Sequence, residues 1–184
     1  MPSPSWPLRT ARLTLRPFVP ADFAAFARIH GDAEVARWLY HEPRRGKEAR
    51  ELFDRKRAGS SLHAEGDWMS CAIVEEATGA VVGDLAFHWV SEEHRTGEIG
   101  FLVASPEQGK GYATEAAGAL LNWAFAAGFH RVIGRLEPRN VASARVLEKL
   151  GMRREALFVE NEWVKGEWES ELVYAVLARE WTRQ

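Results

Sequence analysis

Between Glu98 and Ala127 the hydrophobic pattern changes period across a glycine-bearing loop, and this restricts the fold more than any other stretch. Glu98-Ile99-Gly100-Phe101-Leu102-Val103 is β-branched and aromatic and reads as a strand. Ala113, Ala116, Ala117, Leu120, Leu121, Ala124 and Phe125 recur at helical spacing, with Gly128 as a stop. Gln108-Gly109-Lys110-Gly111-Tyr112-Ala113 joins the two. A helix's first turn leaves backbone N–H groups without intrahelical partners, and the helix dipole adds positive charge there. Gly109 and Gly111 allow a sharp turn and close approach, and Lys110 supplies a full charge. Such a strand–loop–helix unit suits a pyrophosphate.

The spacing is not that of a P-loop, which needs four residues between its glycine and Gly-Lys-Ser/Thr. Nor is it Gly-x-Gly-x-x-Gly, because Ala113 and Thr114 follow Gly111-Tyr112. The nearest ribose-binding acid, Glu137, lies too far along for a dinucleotide site. An ordinary glycine-rich connection fits the six residues as well as a phosphate loop does.

The other bounds are broad. A chain of 184 residues fits one domain, 1–184, with a sizeable core. A net charge of −2 argues against a general nucleic-acid binder. Cys71 is the only cysteine, which excludes an intrachain disulfide and a thiolate metal cluster and fits a reducing cytoplasm. The histidines lack paired metal-ligand spacing, so no metal is assigned. The opening Met-Pro-Ser-Pro-Ser-Trp has no basic region followed by an apolar core, so no signal peptide is expected. No apolar run reaches about 18 residues, so no membrane span is expected.

Taken in order, residues 1–8 read as an irregular arm and Arg12–Arg16 as the first strand. Helices follow at 22–29, from Asp32 to Trp38 or Leu39, and at 47–58, the last with a narrow stripe of Ala49, Leu52 and Phe53. Strands at 68–74, 81–90 and 98–103 should be antiparallel neighbours, since short turns join them. The strand at 131–137 should run parallel to 98–103, because a helical crossover joins them. Asn140 caps a helix over 141–150, and Gly151-Met152 fits a Schellman stop. Residues 158–164 and 168–177 form a final hairpin.

This order, with Gln108, Gly111 and Ala113 at fixed positions, resembles the GNAT superfamily of acetyltransferases and its motif A, Gln/Arg-x-x-Gly-x-Gly/Ala. Asn140 to Met152 resembles that family's Asn-x-x-Ser…Glu-Lys-Leu-Gly-Phe segment, with Met152 in place of the aromatic. Thr10–Pro17 and the stretch from Glu160-Asn161 to Tyr174 are similar to its ribosomal-protein, or Rim-type, branch. Ser170 stands where that branch often has an aspartate. The resemblance implies a mixed α/β fold with a mostly antiparallel sheet, one splayed parallel pair and helices on both faces. It implies acetyl-CoA as co-substrate and a primary amine as acceptor, either a small molecule or a protein N-terminus. Neither nucleic acid nor membrane is an expected partner, and monomer and homodimer are both open.

By the same resemblance, the pyrophosphate lies on Gln108, Gly109, Lys110, Gly111, Tyr112 and Ala113. Backbone groups of Phe101, Leu102 and Val103 pair with the pantetheine, and Asn140 can touch the cofactor. Glu98 is the first candidate for a general base, with Glu160 second and an exposed strand-end carboxylate as the plain alternative. Ser143 is the first candidate to protonate the leaving thiolate, with Tyr174 second. A helix-start hydrogen bond accounts for the serine equally simply. Trp38-Tyr40 and His88-Trp89 are candidates to line the acceptor cleft. Cys71, in an apolar strand, is expected to be buried and inert. The competing readings are a non-catalytic acyl-CoA binding module and a nucleotide-binding protein.

Overall fold

Short turns after Glu75 and Ser91 fold residues 68–103 into an antiparallel meander, as their length dictates. The computed structural model describes residues 3–182. Its strands are β1 (Leu8–Arg9), β2 (Leu13–Arg16), β3 (Trp68–Glu75), β4 (Val81–Ser91), β5 (Thr96–Val103), β6 (Arg131–Leu136), β7 (Arg153–Val164) and β8 (Glu167–Leu177). They form one eight-stranded sheet in the order β1-β2-β3-β4-β5-β6-β8-β7. Every neighbouring pair is antiparallel except β5 with β6. The helices are α1 (Phe23–His30), α2 (Ala33–Ala36), α3 (Gly46–Ala58), α4 (Tyr112–Ala126) and α5 (Val141–Lys149). Among the described residues no helix is long and apolar enough to cross a membrane.

Strand alternation divides the core in two. Leu85, Phe87, Trp89 and Ile99 turn to one face and pack with Ala116, Ala117, Leu120 and Leu121 of α4 and Leu147 of α5. Ala72 and Val74 turn to the other, under Phe18, Phe26, Ile29, Leu52 and Phe53 from the α1–α3 side. The stripe expected on α3 is therefore real: Ala49, Leu52 and Phe53 are all buried. Burying each large apolar side chain contributes about 1.5–3 kcal/mol.

Several boundaries moved. Leu8 and Arg9, expected in an irregular arm, pair with Leu15 and Thr14, a strand too short to show any period; Met1 and Pro2 of that arm lie outside the described residues. Strand β7 begins at Arg153, five residues ahead of the apolar run at Phe158. Charged residues hide that start, where Arg153 and Glu155 join an ion-pair network with Arg131 and Glu180. The stop after α5 is the Schellman motif expected: Met152 N–H donates to Leu147 at 3.0 Å and Gly151 N–H to Glu148 at 2.9 Å, with Gly151 left-handed at φ 74°.

The parallel pair decides the rest. It lasts for three register pairs, Thr96 with Arg131, Gly97 with Val132 and Glu98 with Ile133. Beyond Glu98 the strands part, β5 continuing to Val103 and β6 to Leu136 with no further register between them.

Candidate active site

The gap left by that parting is a cavity of about 570 Å³. Residues 98–103 of β5 form one wall, the 107–114 loop and helix start close one end, and Asn140, Ser143, Arg145, Val146 and Lys149 of α5 border it opposite. Its volume is that of an ordinary ligand site.

The loop end of the cavity turns on two left-handed glycines. Gly111 caps α4 with φ 84° and ψ 4°, a left-handed conformation that costs an L side chain about 1–2 kcal/mol. Gly109 has φ 78°. Among the described residues, the backbone N–H groups of Gly109, Lys110 and Gly111 have no acceptor, and Gly109 and Gly111 line the cavity. Gln108 stabilises the turn from within, donating Nε2 to the Val103 carbonyl at 3.1 Å. The segment near the N-terminus braces it from outside. Arg12 donates to the Lys110 carbonyl at 3.0 Å and pairs with Glu115 of α4 at 2.7 Å, and Thr10 donates to the same carboxylate. Two expected ligands point elsewhere. The Lys110 ammonium pairs with Glu107 at 2.5 Å and does not line the cavity. The Tyr112 hydroxyl donates to Glu75, so only the backbone end of this buried residue faces the ligand space.

At the closed end, where β5 and β6 separate, stands Glu98. Its Oε2 has Arg135 Nε at 3.4 Å on one side and His88 Nδ1 at 3.9 Å on the other. Burial pushes its carboxyl above the usual range; Arg135 opposes this, and the charges of Glu171 and Glu162 add to it. Arg135 is itself anchored on the buried Glu171 at 2.8 Å. Asn140 caps α5 by accepting the Ser143 N–H at 3.1 Å, and both residues line the cavity. Tyr174 does not: it is buried, and its hydroxyl donates to Glu148 at 3.2 Å.

Glu160, the second base candidate, sits at a β7 irregularity with φ 49° and lies outside the cavity lining. Its N–H donates to Ser170 Oγ at 2.9 Å. Glu162 and Glu169 of the same hairpin line the cavity instead, with Trp38, Tyr40 and Trp68. Trp38 and Tyr40 were legible as cleft residues. Trp89 is core, 2% exposed, against Phe129. Trp68, Arg135, Glu162, Glu169, Arg145 and Lys149 were missed; alternation along their strands or turns of α5 was the only signal available. Tyr40 is 62% exposed, yet partial desolvation of its phenol, and then the charges of Glu162, Glu171 and Glu98, hold it above its ordinary range. Cys71 is 1% exposed, and burial pushes its thiol far up.

Known proteins share the sequence pattern and the fold. The family description "Acetyltransferase (GNAT) domain" matches residues 12–153. The chain is 32% identical over 175 residues to the uncharacterized N-acetyltransferase YnaD of Bacillus subtilis, covering 95% of this chain and 98% of that one. A GNAT-family acetyltransferase structure from Bacillus anthracis superposes with a TM-score of 0.85 at 30% identity, covering 94% of this chain and 99% of that one. The fold of a spermidine N-acetyltransferase from Vibrio cholerae, solved with CoA and spermine, superposes with a TM-score of 0.77 at 18% identity over 93% and 98% of the two chains.

Proposed function

We propose, on the premise that this chain belongs to the GNAT acetyltransferase family and is an N-acetyltransferase, that residues 1–184 act as one domain transferring the acetyl group of acetyl-CoA to a primary amine in a ternary complex. The observation that carries this reading is the placing of Glu98 and the Gly111 loop at opposite ends of one cleft opened by the short β5–β6 pairing. The family uses acetyl-CoA, and the residues present fit it. Acceptor-free N–H groups on a left-handed glycine turn suit a pyrophosphate. Beyond Glu98, the edge of β5 at Phe101, Leu102 and Val103 offers backbone groups to an amide-bearing arm. Arg145 and Lys149 give the α5 side positive charge for phosphates. Bound acetyl-CoA would supply an activated thioester carbonyl.

The chain's own residues do the rest. Glu98, with its raised carboxyl, takes a proton from the acceptor's ammonium. A β5 backbone N–H in the gap stabilises charge growing on the carbonyl oxygen, a contribution of about 3 kcal/mol. Ser143, on the first turn of α5, protonates the departing sulfur. Glu162 and Glu169 with Trp38, Tyr40 and Trp68 favour a cationic acceptor. The Vibrio cholerae protein that shares the fold is named for spermidine, which accords with such a wall.

Thiol release from acetyl-CoA tests this on a panel of spermidine, cadaverine, lysine methyl ester and a serine-terminated peptide. Amine-dependent thiol release is expected. CoA binding with no release for any amine would favour the binding-module reading instead.

A further inference from the structure

One row of side chains crosses the sheet on the acceptor side. Trp68 of β3 is in register with His88 of β4, and His88 with Glu98 of β5. The Trp68 and His88 rings stack with centroids 4.4 Å apart and planes within 2°. His88 Nδ1 is buried without a hydrogen-bond partner and lies 3.9 Å from Glu98 Oε2. His88, expected to line the cleft, does not line the cavity itself but lies between two residues that do, Glu98 and Trp68; its side chain is 22% exposed and Trp68 is 50% exposed, so water reaches the row beside Trp68.

This row answers a need of the reaction. An ammonium and a thioester give an amide, a thiol and one surplus proton. Nitrogen forms its bond to the carbonyl carbon, the carbon–sulfur bond breaks, and one of the two protons nitrogen loses ends on sulfur. The other must leave a carboxylate that lies beneath the bound acceptor. An unpartnered ring nitrogen buried against that carboxylate is an acceptor in waiting.

We propose that His88 is the proton exit of the site: Glu98 passes the acceptor's proton from Oε2 to His88 Nδ1, and the ring releases a proton to water beside Trp68. The inference rests on Glu98 acting as base. Burial and the Arg135 charge hold the His88 ring below its usual range, while Glu98 is raised, which narrows the gap between donor and acceptor. The charged groups facing the pair are Arg135 on β6, Glu171 on β8 and Glu162 on β7. His88 acts through Glu98 and is a positioning and relay residue.

Two variants and a titration test it. With spermidine or the serine-terminated peptide, whichever turns over faster, His88→Gln should lower kcat about ten- to a hundredfold near neutral pH, with acetyl-CoA affinity unchanged by calorimetry. The loss should shrink as pH rises, and added imidazole should restore much of the rate of His88→Ala. Without any acceptor, the NMR midpoint of His88 should fall by about half a pH unit or more in Glu98→Gln, because a neighbouring negative charge is gone. Wild-type kcat and pH profile in His88→Gln, a loss insensitive to both pH and imidazole, or an unmoved His88 midpoint would each overturn the relay. Glu98→Gln with full activity would instead overturn the base itself. An impaired Glu98→Gln beside an unimpaired His88→Gln would sink the relay alone.

Discussion

Lys56 of α3 and Asp84 of β4 form an ion pair inside the protein, Nζ to Oδ2 at 2.7 Å, with the carboxylate 4% exposed. His30 of α1 approaches the same oxygen through Nε2 at 3.1 Å. Burial alone would push the Asp84 carboxyl up; the Lys56 charge and the His30 contact outweigh it and hold it below the usual range. Two of the helices over the acceptor side are thereby fastened to the sheet beside the cleft, which both Lys56 and Asp84 line.

Removing one partner should be costly. Lys56→Met leaves a carboxylate stranded, and chemical unfolding should show a loss of about 3–5 kcal/mol. Asp84→Asn should lose less, because Lys56, 20% exposed, can turn to water. The carboxyl is lowered on folding, so its contribution is present above the unfolded value near 4 and fades as pH falls below it. Wild-type stability should therefore drop on acidification more steeply than that of Asp84→Asn. Parallel slopes would show that the pair does not contribute in this way.

Glu98 has the opposite shift, and the sign carries into kinetics. A raised carboxyl loses its basic form as pH drops through a value above the ordinary 4.3 or so, and kcat/KM should fall there. Glu98→Gln should lose most near neutrality and progressively less as pH nears the acceptor's own pKa, where free amine needs no base. A deficit equal at every pH would make Glu98 a structural strand residue.

Gly111→Val should weaken acetyl-CoA binding about tenfold or more, or about 1.4 kcal/mol. A β-branched residue at φ 84° must shift the start of α4, and its Cβ would stand 3.4 Å from Arg12 Nη2. Calorimetry on a folded variant with wild-type affinity would remove the loop from the cofactor site.

Cys71→Ala should keep most of its turnover. The thiol is buried in the α4-side cluster, does not line the cleft, and is far from its thiolate form. Initial-rate lines should intersect as in a ternary-complex mechanism. Parallel double-reciprocal lines, or an acetylated Cys71 peptide from quenched enzyme, would contradict this.

What the sequence revealed was whatever is local. The change of period around Gln108–Ala113, the Asn140 cap and the Gly151 stop each depend on residues within a turn of one another, and each is where the pattern put it. Side-chain aim was less legible. Lys110 reads as a phosphate ligand by charge and position, yet Glu107 three residues earlier engages it. Tyr112 opens the helix but reaches across to Glu75, 37 residues away. Glu160 is a candidate by resemblance to the Rim-type branch; it sits in the β7 irregularity between Phe158 and Glu162 and misses the cavity that Glu162 lines, and such a bulge leaves no mark in hydrophobic period. The pairing of Lys56 with Asp84 spans 28 positions and unites two elements with no shared pattern.

The brevity of the β5–β6 pairing also has a mechanical meaning. The sheet is a plate with a crack in it, and the crack's tip is the last register pair, Glu98 with Ile133. When a wedge enters or leaves such a crack, displacement is greatest at the mouth and vanishes toward the tip. The 104–111 loop and the start of α5 stand at the mouth and can yield to a cofactor's bulk. Glu98, at the tip, is the point the opening turns about, and it keeps its place while the walls move.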